Sequence, residues 1–70
     1  MADDTVYKLI ELTGTSPTSL EDAIQNAIGK AAKTVRNMSW FQVTEVRGSI
    51  RGDRATAFQV TLKVGFAVED

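Results

Sequence analysis

The chain contains no cysteine and no histidine. Without thiols no disulfide can brace the fold, and zinc sites built on thiolate are excluded. Without imidazole the usual general base, the serine or cysteine triad and the histidine zinc site fall away together. Paired-carboxylate chemistry has no support either, because Glu11, Glu21, Glu45 and Glu69 show no spacing that would pair them. Gly48-Ser49-Ile50-Arg51-Gly52 has neither the lysine nor the strand-glycine-helix setting of a phosphate loop. No apolar run approaches the roughly 20 residues of a membrane span, and Met1-Ala2-Asp3-Asp4 has no signal-peptide character. A charge excess of one sign is also missing. The net charge is −1, and Lys8, Lys30, Lys33, Arg36, Arg47, Arg51, Arg54 and Lys63 are interleaved with acids, a poor footprint for nucleic acid. These absences describe a soluble cytoplasmic protein that is not an enzyme. No catalytic residue and no metal ligand is assigned, and neither nucleic acid nor membrane is expected as a partner.

What is present must fold as one small domain, residues 1–70. A chain this short buries only about 60% of its unfolded surface, so one core is marginal without a staple or partner copies. With disulfides and thiolate metals gone, oligomerisation is the remaining source of stability.

Residues 5–13 are β-branched and apolar in imperfect alternation, which suits a strand. Gly14-Thr15-Ser16-Pro17 is a turn-rich break. Thr18 or Ser19 then supplies an N-cap, with Glu21 or Asp22 three residues on. Leu20, Ala23, Ile24, Ala27, Ile28, Ala31 and Val35 recur with helical spacing and form one buried stripe. Lys33 and Arg36 complement the negative helix end, and Asn37 suits a left-handed cap. Two strands follow, about 40–50 and 54–68, joined at Arg51-Gly52-Asp53. Phe58, Val60, Leu62, Val64, Phe66 and Val68 alternate at period two and must face the helix. Phe41 and Val43 share that side, leaving Trp40, Gln42, Thr44 and Val46 on the other.

Lengths then matter. A strand of about 15 residues spans roughly 50 Å, whereas a helix of about 17 residues spans ~26 Å. One helix cannot cover such a hairpin, so copies of the chain are expected to meet. Trp40, the only tryptophan, lies on the uncovered face. An indole there needs a partner, either a second chain or a flat aromatic ligand. With the turn near Gly52, Trp40 falls across from Gly65 and Gln59 across from about Val46. Trp40 and Gln59 are then ~20 Å apart within one chain, so a ligand shared by both requires two chains. The residues alone describe an oligomeric βαββ module with one exposed aromatic.

Several segments together resemble the dodecin family of small flavin-binding proteins. They are Val6-Tyr7-Lys8, Gly14-Thr15-Ser16, Glu21-Asp22-Ala23-Ile24, Trp40-Phe41-Gln42-Val43, Arg47-Gly48, Phe58-Gln59-Val60-Thr61 and Lys63-Val64-Gly65-Phe66. The resemblance implies an α+β protomer of β-α-β-β order, with a three-stranded antiparallel sheet and a long hairpin wrapping one amphipathic helix. It further implies assembly into a hollow homododecamer. It also implies that Trp40 stacks on a flavin, two flavins lying together between the tryptophans of two protomers. Gln59 would hydrogen-bond the pyrimidine edge of the ring, and Arg47 would contribute near the flavin. Members with this Arg-Gly dipeptide tend to bind FMN, with riboflavin and FAD as related ligands. Some bacterial members bind coenzyme A as well, with no residue here assigned to it. The implied function is storage and photoprotective sequestration of flavin. The alternative from residues alone is a structural or protein-interaction oligomer in which Trp40 anchors an interface.

Overall fold

A computed structural model describes residues 4–68; Met1 to Asp3 and Glu69 to Asp70 lie outside the described residues. The element order is β1 (Tyr7–Ser16), α1 (Leu20–Ala31), β2 (Met38–Arg51) and β3 (Arg54–Ala67). All three strands form one antiparallel sheet in the order β1-β3-β2. This is the α+β, β-α-β-β fold expected from the sequence.

α1 packs on β1 and β3. Its small residues Ala23 and Ala27 are buried against Val60, Leu62 and Val64 of β3, with Ile10, Leu12, Ile24, Ile28 and Met38 packed around them. The middle of the alternating row, Val60, Leu62 and Val64, therefore faces the helix as its period required, whereas Val68 lies beyond β3 and is exposed. Ser19 caps α1, its Oγ accepting the Asp22 amide at 3.0 Å. Buried Ser16 joins strand to helix: its Oγ donates to Asp22 Oδ2 at 2.7 Å and accepts the Thr18 amide at 3.0 Å. Gly52 takes φ +67°, the positive value that a two-residue hairpin between paired Arg51 and Arg54 favours at its first central position.

Three expectations are corrected. Gly14-Thr15-Ser16 does not break the chain; it continues β1, paired with Val60, Gln59 and Phe58. Gly14 is needed for close approach rather than for a turn. A Cβ there would overlap the Ala23 carbonyl oxygen and come within 2.9 Å of the Ala27 Cβ. Secondly, α1 has 12 residues rather than about 17. The amides of Lys33 and Thr34 bond three residues back to Lys30 and Ala31, tightening the chain out of the α-helix before β-branched Thr34 and Val35. Asn37 does adopt φ +63°, but beyond that turn and at the entry to β2.

The third correction concerns β2. Its pairing with β3 shifts between Val43 and Glu45, leaving Thr44 as an extra residue whose Oγ1 donates to the Thr61 carbonyl at 3.2 Å. The bulge reverses the facing of everything after it. Val46 consequently pairs with core Val60 on the helix side, not on the open face with Trp40. The length argument holds with greater force. At 14 residues each, β2 and β3 span roughly 46 Å, whereas the 12-residue helix spans ~18 Å.

Candidate functional site

The face of the sheet away from α1 carries four rows, read across β1, β3 and β2. They are Leu9–Gly65–Trp40, Glu11–Lys63–Gln42, Thr13–Thr61–Glu45 and Thr15–Gln59–Arg47. The face is apolar and aromatic at one end and amide- and guanidinium-bearing at the other. Between them, the Thr13 and Thr61 hydroxyls are hydrogen-bonded at 3.0 Å.

At the aromatic end, Gly65 decides the geometry. A Cβ at Gly65 would overlap Cε2 and Cζ2 of Trp40. The six-membered part of the indole therefore lies directly over the Gly65 backbone, covering the gap that the missing side chain leaves. This is the cross-strand pairing of Trp40 with Gly65 expected from the sequence. Trp40 as a whole keeps 40% of its accessible surface. Beyond Gly65 it meets the ring of Tyr7 on β1, with centroids 5.7 Å apart and planes inclined by 62°. That contact was not foreseen, because it depends on β1 pairing with β3 and not on any local pattern.

At the polar end, the Thr44 bulge sets Arg47 directly opposite Gln59 instead of Val46. Two of the three candidate residues are thus cross-strand neighbours. Arg47 Nη2 donates to Glu45 Oε1 at 3.1 Å. Both side chains are largely exposed, so solvent screens the pair and it leaves the guanidinium available. Thr15, Arg47, Ser49, Phe58 and Gln59 line part of a cleft of about 580 Å³ where β1 ends and the hairpin continues. That volume lies within the range of small-molecule sites. A second bulge shapes this cleft: Ala57 is the extra residue of β3 and sits at φ +51°.

Trp40 does not line the cleft. Its partner Gly65 is six residues from Gln59 along β3, roughly 20 Å. One chain therefore brings Arg47 and Gln59 together and leaves Trp40 apart. Among the described residues no group of three or more acidic side chains gathers as a metal site would require.

Comparison with known proteins places these residues in context. The family model described as Dodecin matches residues 6–69. A curated dodecin from Thermus thermophilus is 49% identical over 65 residues, covering 93% of this chain and 94% of the relative. The structure of a dodecin from Streptomyces coelicolor superposes with a TM-score of 0.85 at 40% identity, covering 97% of each chain. The crystal structure of calcium dodecin from Mycobacterium tuberculosis, described with a novel calcium-binding site, gives a TM-score of 0.76 at 31% identity over 91% of each chain.

Proposed function

The chain belongs to the dodecin family, and from that premise we propose that it binds and stores flavin, FMN foremost, in a homododecamer. The observation that carries this reading is the Trp40 indole seated over Gly65 while Trp40 keeps 40% of its surface exposed. An electron-rich ring held over a glycine and left partly exposed suits stacking against a planar π system. When bound there, a flavin supplies an excited state that an adjacent indole can quench by electron donation, which is the basis of the photoprotective role.

The residues fit the group at both ends. The Gln59 amide offers one donor and one acceptor, the pattern of a pyrimidine edge. Arg47 beside it carries a fixed positive charge suited to a phosphorylated ligand. The separation of roughly 20 Å within one chain requires that Trp40 come from one copy and Gln59 with Arg47 from another. An assembly is therefore part of the site. Calcium, named for the M. tuberculosis relative, is not carried over, and coenzyme A is left without assigned residues. Storage needs no general base, in keeping with a chain that lacks histidine and cysteine.

Titrating FMN into the purified protein while reading flavin fluorescence and the mass in solution tests this. Strong quenching on an oligomer is expected, largely abolished by Trp40→Ala with the assembly intact and weakened by Gln59→Ala. If FMN does not bind, and Trp40→Ala dissolves the oligomer instead, Trp40 is an interface anchor and the flavin reading falls.

A further inference from the structure

The flat pose of Trp40 is unusual for a strand residue, because side chains on a sheet stand roughly perpendicular to it. Laid across Gly65, the indole reaches from β2 over β3 toward β1. β1 and β2 are not neighbours; with β3 between them they run ~9.6 Å apart. A centroid separation of 5.7 Å between Tyr7 and Trp40 means that the two rings bridge this gap above the glycine. Gly65 supplies a floor, but a glycine cannot stop an indole from lifting or sliding.

We propose that Tyr7 is the positioning residue that holds the Trp40 indole flat over Gly65, so that its outer face is presented for stacking. The inference rests on the flavin-binding reading for its consequence, though not for its geometry. Tyr7 suits the role because its backbone is anchored. It pairs with Ala67, and the preceding residue Val6 accepts the Val68 amide at 2.9 Å, so the end of β1 is tied to β3 on both sides of the ring. The inclined contact uses the attraction between the edge of one aromatic and the face of another. The hydroxyl takes no part in this argument, so phenylalanine should serve equally well.

Trp40 is the only tryptophan, so the indole band in near-ultraviolet circular dichroism and the acrylamide quenching of indole fluorescence report its pose without ligand. Tyr7→Val keeps strand preference and removes the ring. It should collapse the indole band, roughly double acrylamide access and weaken FMN binding about three- to tenfold, at unchanged oligomer mass. Tyr7→Phe should restore all three to near the wild-type values. If Tyr7→Val leaves the indole band and FMN affinity unaltered, the proposal is overturned while the flavin reading stands. If the wild-type protein binds no FMN yet Tyr7→Val still collapses the band, the flavin reading falls and the positioning role holds. Should Tyr7→Val dissociate the assembly, Tyr7→Leu against Tyr7→Phe repeats the comparison, and equal indole bands in those two would overturn the proposal.

Discussion

Val60 and Val46 are the same residue, directly opposite one another on the same side of the sheet. Val60 has no exposed surface, whereas Val46 keeps 52% of its own. Hydrophobicity and strand type cannot account for the difference, since both are shared. Position does. β3 is the central strand under α1, and β2 is an edge strand that joins the core only through Met38 at its start. Phe41 and Val43 of β2 share the exposure of Val46 although they face the side that the helix covers elsewhere. The lesson is that one helix closes a core over two strands and leaves the third apolar. The assembly proposed above would complete such a small fold, which has no disulfide to brace it.

The comparison can be broken most severely at the helix-backed end. Gly14→Val places a side chain on the Ala23 carbonyl and against Ala27. It should cost about 3 kcal/mol or more, because backbone atoms must move and cannot repack. Denaturant unfolding followed by circular dichroism would register it as a large fall in midpoint; a small one would mean that α1 can lift from β1 freely. Next comes the valine pair itself. Val60→Ala should cost roughly 2 kcal/mol at any protein concentration, from lost burial plus a residual cavity. Val46→Ala should cost under about 1 kcal/mol in dilute protein and more as concentration rises, as expected if the proposed assembly covers Val46 with another copy. Urea midpoints at two concentrations separate these behaviours. Equal, concentration-independent losses at both positions would end the contrast between central and edge strands.

A smaller effect on stability, with a sharper one on function, is expected at Gly65. Gly65→Ala leaves the backbone pairing intact but puts a methyl group where the indole lies. Stability should change by only about 1 kcal/mol. The indole would be pushed off the sheet, and FMN quenching should fall about tenfold. Normal quenching in this variant would show that the flat pose is unnecessary. Gly14 and Gly65 thus make the same steric demand in two regions: one admits a helix, the other an aromatic ring.

Much of this was legible in the residues. The period-two row of β3, the alanine-rich stripe of α1 and the Gly52 turn each depend on local chemistry, and the structure carries all three. Trp40 opposite Gly65 was legible too, because the extra residue on β3 and the one on β2 offset each other and counting from the turn comes right again beyond both. Gln59 was counted to the wrong partner. Gln59 lies between the bulges at Thr44 and Ala57, which counting cannot detect: neither inserted residue is a glycine or proline, and the glycine at the second, Gly48, stands on the partner strand. Gly14 was misread for the opposite reason. A glycine next to threonine, serine and proline looks like a turn, and only the packed helix shows that it answers a clash. The Tyr7 contact joins residues 33 positions apart through a strand that neither belongs to, beyond the reach of any local pattern.

The smallest effect tests the least legible feature. Ala57 holds φ +51°, a left-handed conformation that costs an alanine roughly 1–2 kcal/mol relative to the right-handed one. Glycine adopts it freely, but a glycine also loses about 0.4–1 kcal/mol more backbone entropy on folding. The balance favours Ala57→Gly by about 0.5 kcal/mol. At buried Ala27 in α1 the same substitution should cost about 1 kcal/mol, because there the backbone is helical and the methyl group is packed. One chemical change should therefore carry opposite signs at the helix-backed core and at the cleft beside Gln59. Paired thermal or urea unfolding of the two variants measures the difference directly. Destabilisation at both sites would mean that the Ala57 bulge is not strained. If stability rises in Ala57→Gly while FMN affinity drops, the strain is what aims Gln59 across the cleft at its ligand.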